Sequence, residues 1–258
     1  MSISDVTPTI KLPIIGPSSL PARTDRNGKA VKNLILLSVP ETEFNAVRPH
    51  LEPTDMPRYR VLYERGKKIE HAYFPNEGMI SLVVVTHDTR SVEVGIAGVQ
   101  GVIGVPLAFG LDHAPTRAIV QLPGSGLRIS SSALRGSFDQ SPTLRRIIER
   151  FVLMQQFQVA QIAACNRLHD IDQRLARWLL MCQDSVNSEV LPLTHEFIAQ
   201  MLGSGRPTVT IAAGVLERAG LIENTRGSIK IANRKHLEHA ACECYGIIQN
   251  FSGSMNFS

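Results

Sequence analysis

The run from Thr143 to Leu168 contains neither glycine nor proline and follows directly on Ser141-Pro142. Serine before proline is a good helix start, because the hydroxyl can cap free backbone N–H groups and proline suits the first turn. Leu144, Ile148, Phe151, Gln155, Gln158 and Ile162 then advance by alternating steps of four and three, continued by Cys165, which is a heptad seam with two polar members. Ile147, Val152, Leu153 and Phe157 widen the apolar stripe. One face is therefore expected to pack on its own chain, and the seam Leu144 to Ile162 on a second copy. A single buried core helix is the competing reading. Either way, a long helix over 141–166 divides the chain into two unlike halves.

The half before it has strand character. Tyr59–Tyr63, Ala72–Phe74, Met79–Val85, Ser91–Ile96, Arg117–Leu122 and Leu127–Ile129 are short apolar or β-branched segments. Turn chemistry separates them, as in Pro75-Asn76-Glu77-Gly78 and His87-Asp88-Thr89. Short strands at this spacing favour an antiparallel barrel or roll over 33–140. A short helix, Glu41–Leu51, precedes them with Phe44, Val47 and Leu51 on one face. Residues 1–32 carry Pro8, Pro13, Pro17 and Pro21 without periodicity, then Arg23, Arg26, Lys29 and Lys32, and are expected to form a mobile tail.

Bulk composition excludes little. The chain is 43% hydrophobic and 19% charged, with a formal net charge of +4. That permits nucleic-acid binding without requiring it, so the placement of basic residues must decide. Cys165, Cys182, Cys242 and Cys244 form no CxxC pair. Cys242-x-Cys244 has a spacing that a soft metal accepts, but ordinary thiols of a reducing cytosol are the expectation, with no metal and no cofactor. No apolar run approaches a membrane span, and the first residues lack a signal-peptide layout, so a cytoplasmic protein is expected.

The back half, 167–240, holds a second helix around Arg174–Leu180 and then the segment Leu193–Ile231. Thr194 is placed to cap a helix over His195–Leu202. Gly203-Ser204-Gly205 supplies a tight corner. A second helix begins at Arg206-Pro207 and runs to Ala219, with Val209, Ala212, Ala213, Val215 and Leu216 inward, until Gly220 stops it. Leu221–Glu223 and Ser228–Ile231, joined by Asn224–Gly227, form a two-stranded wing. Such a unit inserts its second helix into the DNA major groove. Arg206 directly after the corner can read O6 and N7 of a guanine with its planar fork. Ser204, Thr208 and Thr210 suit phosphates, and Arg226 on the wing does too. Residues 241–258 are expected to be a C-terminal tail.

Leu193–Ile231, and above all Gly203-Ser204-Gly205-Arg206-Pro207-Thr208-Val209, resembles the winged helix-turn-helix of the Crp–Fnr family of bacterial regulators. The resemblance extends from about residue 33 to 235, through the segment AGVQGVIG, the long helix, and Asp172-Gln173-Arg174-Leu175-Ala176. It implies an α+β chain: an N-terminal β-roll of the cyclic-nucleotide-binding, jelly-roll type, a long dimerisation helix, and a C-terminal winged helix-turn-helix. It implies a homodimeric transcription regulator whose partners are double-stranded DNA, a second copy of itself and, for an activator, RNA polymerase. A signal at the roll would shift a hinge near Asn166–Asp170.

The departures matter. Pro207 stands where many members carry a cytosine-reading glutamate, and Ile211 where a second basic reader is common. In the ligand cassette Val105 follows Gly104 where a ribose-binding glutamate belongs. Arg117, beside Thr116, is about one position out of register for the phosphate. A small-molecule effector around Gly104, Val105, Thr116 and Arg117 would therefore be something other than a cyclic nucleotide. Two readings compete: a constitutive DNA-binding dimer without an effector, and a cupin-like metal enzyme, against which the absence of a close His/Glu metal cluster in the sequence speaks.

Overall fold

The computed structural model describes residues 20–186 and 188–253. Helices α1 (Leu34–Ser38) and α2 (Glu41–Val47) lead through a 3₁₀ turn at Arg48–His50 into the strands. Phe44, Val47 and Leu51 are all buried, as their spacing predicts. The strands are β1 (Glu52–Met56), β2 (Val61–Tyr63), β3 (His71–Pro75), β4 (Met79–Val85), β5 (Ser91–Ala97), β6 (Arg117–Leu122) and β7 (Gly124–Ser130). They form two antiparallel sheets, ordered β1-β7-β3 and β2-β6-β4-β5. Phe74, Ile80, Val120, Leu127 and Ile129 fill the space between them, together with Leu36 and Leu107. This is the expected roll.

Two of its elements carry no sequence signal of their own. Strand β1 contains Pro53 and Asp55, which strands disfavour, and is tolerated because it lies at a sheet edge. Helix α3 (Ser131–Gln140) closes the roll, capped by the Ser130 hydroxyl on the Ala133 N–H.

Strand β4 is buried on both faces. Ile80 and Leu82 face the roll interior, while Met79, Val83 and Val85 face outward into a second core. That core also takes Ile96 and Leu122 of the same sheet and helices α5 (Ile171–Val186), α6 (His195–Leu202) and α7 (Arg206–Arg218). A strand covered on both faces reads as a near-continuous apolar run, and MISLVVV, interrupted only by Ser81, is one. The front and back halves thus share a wall rather than only a linker.

Helix α4 runs Pro142–Leu168. Ser141 does not cap it with its hydroxyl. The Glu43 carboxylate of α2 does so instead, accepting from the Thr143 and Leu144 N–H groups at 3.1 and 3.0 Å. The expected intermolecular seam is corrected too. Leu144, Ile148, Phe151 and Ile162 are buried within their own chain. Gln158 accepts from the Ile96 N–H at 2.9 Å, and Gln155 is half-buried. That stripe is the intramolecular face of α4. Its exposed apolar face lies elsewhere, on Leu153 and Phe157, with Ala160 and Ala164 one and two turns on.

Both expected tails are partly structured. Residues 1–19 lie outside the described residues. From there Arg23 donates to the Leu36 and Val39 carbonyls (2.6 and 2.5 Å), satisfying the end of α1, and Val31 is buried in the roll core. Beyond helix α8 (Arg234–Ala240) the chain forms helix α9 (Cys244–Gly253), where a tail was expected. It is pinned by Ile248 in the second core and by the Tyr245 hydroxyl, which donates to Asp184 at 2.9 Å. Gly246 and Gly253 hide this helix in the sequence, since glycine is a poor helix former. Among the described residues no helix is long and apolar enough to cross a membrane.

Candidate nucleic-acid interface

The corner between α6 and α7 forms where the sequence places it. The Thr194 hydroxyl accepts from the Phe197 N–H at 3.2 Å. Gly203 closes α6 in the left-handed region, φ 60°, and Pro207 sits in the first turn of α7. Phe197, Ile198, Met201 and Leu202 pack against Val209, Ala212, Ala213 and Leu216. Val215, expected inward, is instead 40% exposed. It shares the outer surface of α7 with Ile211, which is 68% exposed. The wing consists of β9 (Ile222–Thr225) and β10 (Ser228–Ile231), and β8 (Val190–Leu191) pairs with β10 as a third strand.

Arg206 and Thr208 are exposed on the first turn of α7, Ser204 is half-exposed in the corner, and Arg226 is exposed at the tip of the wing. Neither Arg206 nor Arg226 forms a salt bridge among the described residues. Thr210 is exposed but already engaged. Its hydroxyl donates to the Arg206 carbonyl at 3.0 Å and lies 3.1 Å from His195 Nδ1. The other ring nitrogen of His195 is 3.2 Å from Asn224 Oδ1. His195 therefore ties α6, α7 and the wing together. In the sequence it is one histidine among eight, with no pattern to mark it.

The corner faces the hairpin between β4 and β5. A cleft of about 680 Å3 separates Thr86, Arg90 and Val92 on the hairpin from Gln200, Ser204 and Arg206. At its floor the two sides touch: a Cβ added to Gly203 would lie 3.1 Å from Val92 Cγ2. Nearby, the Tyr59 and Phe197 rings meet at 5.2 Å.

A buried polar chain fixes this arrangement. Trp178 of α5 donates its indole N–H to Glu93 Oε1 at 3.0 Å, and Glu93 Oε2 lies 2.7 Å from Ser81 Oγ. The Ser81 hydroxyl donates to Gln121 Oε1, and the Gln121 amide donates to Cys182 Sγ at 3.0 Å. The chain leaves α5, crosses β5, β4 and β6, and returns to α5 one turn later. Ser81 has one proton, and it is used on Gln121. With Gln121 Oε1 accepting from Ser81, the chain closes when Glu93 is a neutral acid donating to Ser81. Burial acts in the same direction: it raises the Glu93 carboxyl to about 7, against the nearby Arg177 charge and the hydrogen bond from Trp178.

The pH dependence follows from that shift. Between the ordinary carboxyl range and about 7, the folded chain keeps a proton that the unfolded chain releases. Stability from this group is therefore full at low pH, declines as pH rises through that window, and is flat above it. Glu93→Gln keeps an acceptor for Trp178 and a donor for Ser81 while removing the titration. The variant is expected to gain on the wild type by on the order of 3 kcal/mol between about pH 5 and 8. Urea midpoints across that range measure it, and a pH-independent difference would count against a neutral Glu93.

The four residues expected around an effector do not form an open anion site. Arg117 donates to Glu64 at 2.9 Å, so its charge is already matched. Gly104 has φ 88°, and a Cβ there would come within 2.9 Å of the His71 carbonyl oxygen. Val105 is buried at the start of a 3₁₀ turn, Val105–Phe109, and Thr116 is half-buried. A cavity of about 380 Å3 nearby is lined by Tyr63, Glu64, Lys68 and Tyr73, among others, and by none of the four.

Residues 173–240 match the model of the Crp-like helix-turn-helix domain. The global nitrogen regulator of Synechocystis is 25% identical over 190 residues, covering 68% of this chain and 82% of that protein. Among solved structures, a putative transcriptional regulator of the Crp/Fnr family from Eubacterium rectale superposes with a TM-score of 0.63 at 16% identity, over 78% of this chain and 94% of that one. FixK2 from Bradyrhizobium japonicum gives 0.63 at 15% identity, over 74% and 98%. The c-di-GMP-responsive regulator CLP of Xanthomonas campestris gives 0.62 at 17% identity, over 74% and 99%. A Crp-like helix-turn-helix domain over residues 173–240, behind a β-roll and a long connecting helix, supports a DNA-binding transcription regulator whose fold is similar to that of Crp/Fnr-family structures.

Proposed function

We propose that the protein acts as a homodimer on a near-palindromic operator, with Arg206 reading a guanine at the start of each recognition helix. The observation that carries this reading is an exposed guanidinium, without a salt bridge among the described residues, on the first turn of α7 directly behind a glycine corner. Ser204, Thr208 and Arg226 supply phosphate contacts that fix register. Ile211 and Val215 offer exposed apolar surface on the same helix, the chemistry that meets a thymine methyl group. The operator is thus expected to combine guanine and thymine within each half-site. Pairing through α4 would set two recognition helices about one DNA turn apart, ~34–36 Å.

The dimer seam we propose is Leu153, Phe157, Ala160 and Ala164, which step by four, three and four along the exposed face of α4. Phe157 stacks on Phe251 of α9 at 5.1 Å, so α9 widens that face. Selection from a randomised duplex pool at fixed salt tests the reading: a two-fold symmetric site should be enriched. Phe157→Glu is expected to give monomers in sedimentation and to lose symmetric-site binding together with dimerisation. A Phe157→Glu protein that remains dimeric would rule out this seam.

The filled roll interior and the Arg117–Glu64 pair favour control by something other than a cyclic nucleotide. Operator affinity is then unchanged when cyclic nucleotides are added.

A further inference from the structure

Cys165 and His169 close the C-terminal end of α4, Cys242 lies on the short link between α8 and α9, and Cys244 opens α9. The fold brings all four to one place. The three sulfurs and one imidazole nitrogen lie within 4.8 Å of one another. Cys165 and Cys242 are 3.4 Å apart at Sγ, and Cys244 Sγ is 3.5 Å from His169 Nδ1. The three thiols are buried and form a cluster of their own, separate from both hydrophobic cores. Thiols serving as small hydrophobes would be dispersed among aliphatic side chains. Cys182, in the second core, is that case.

We propose that Cys165, His169, Cys242 and Cys244 are the ligands of one four-coordinate, thiophilic divalent cation of the zinc type, which fastens the end of α4 to the C-terminal end of the DNA-binding half. Three arguments support it. The first is size. Metal–sulfur bonds of about 2.3 Å at tetrahedral angles place ligand atoms a little under 4 Å apart, close to the spacing here. A polynuclear iron–sulfur core would have to fit between ligands no more than 4.8 Å apart.

The second argument is the surrounding shell. A ligating histidine commonly gives its other ring nitrogen to a carboxylate, and His169 Nε2 lies 3.2 Å from Glu243 Oε1. The Gln161 amide donates to Cys244 Sγ at 3.1 Å, as amides do toward thiolates. The third is charge. Three thiolates and a divalent cation leave one net negative charge in a buried place. Arg174 and Arg177 of α5 both act electrostatically on Cys165, and the Nε of each is buried without a hydrogen-bond partner among the described residues. A buried cation needs a counter-charge.

The site lies at the junction where α4 hands over to the DNA-binding half, so it bears on the proposed function, although the metal itself does not depend on that reading. With metal bound, α4, α8 and α9 are held as one unit.

Metal analysis of full-length protein purified under reductant tests this without DNA. We expect one zinc per chain, and on exchange one cobalt with the near-ultraviolet charge-transfer absorption of cobalt–thiolate bonds and intense tetrahedral bands in the red. Cys242→Ser and Cys244→Ser should lose the metal, whereas Cys182→Ser should keep it. Glu243→Gln should keep it with affinity about 10–100-fold weaker. The wild-type cobalt spectrum stands even if a ligand variant fails to fold. Wild-type protein with four titratable thiols and no bound zinc or cobalt would overturn the proposal, as would an iron–sulfur chromophore or a Cys165–Cys242 disulfide. Failure of operator selection with the metal present would instead count against the DNA-reading residues alone.

Discussion

Arg206→Ala is expected to weaken binding to the best selected duplex by about 5- to 150-fold, the ~1–3 kcal/mol of a bidentate guanine contact. The loss should be concentrated at one base pair of each half-site, where the variant accepts other bases. The companion Arg206→Lys separates charge from geometry. It keeps the positive charge, and with it the salt dependence that phosphate contacts produce, but lacks the planar fork that engages O6 and N7 together. Lysine should therefore bind non-specific DNA like the wild type and still lose discrimination at that base pair. Fluorescence anisotropy on the selected site and on single-base variants, at one fixed salt concentration, reads both effects. If Arg206→Ala lowers affinity for all duplexes equally and leaves sequence preference intact, Arg206 is a phosphate contact and base reading lies elsewhere on α7.

The largest loss of stability is expected from Trp178→Ala. Trp178 is 1% exposed, fills the space between α5 and the outer face of β4 and β5, and donates to the buried Glu93. Truncating a buried Trp to Ala typically costs about 3–5 kcal/mol. Here Glu93 Oε1 also loses its partner. Trp178→Phe isolates that second part, since it keeps most of the ring and removes only the N–H. It should cost about 1–3 kcal/mol, the range for an unsatisfied buried polar group. Chemical denaturation of the three proteins at one pH gives the comparison. A Trp178→Phe protein as stable as the wild type would mean that the polar chain has no energetic weight and that packing alone joins α5 to the sheet.

The motif that carries DNA binding was legible because local chemistry dictates it. Thr194, Gly203, Pro207 and Gly220 each suit one backbone position, and α6, α7 and the wing form where those residues put them. What the sequence hid depends on contacts distant along the chain. The period of α4 was readable, but which face turns inward is decided by strands some sixty residues earlier, as the Gln158 bond to the Ile96 N–H shows. An apolar heptad looks the same whether it meets its own sheet or a second copy. The cap of α4 came from Glu43, about a hundred residues away, and not from the adjacent Ser141. Cys165 and His169 stand on one segment and Cys242 and Cys244 on another, so no short spacing announces them together. The near-continuous apolar run of β4 was readable as a strand, yet nothing local says that the second layer against it is the DNA-binding half.

That double-faced strand has a mechanical consequence. A regulator whose halves meet only at a flexible joint can swing its DNA-reading part without disturbing its sensing part. Here, turning α5, α6 and α7 away from the roll would strip water-excluding cover from Met79, Val83, Ile96 and Leu122. Each square ångström of apolar surface laid bare costs about 25 cal/mol. Rotation at this boundary would therefore expose that surface, so the reading helices are expected to move together with the wall of β4, β5 and β6 on which they stand.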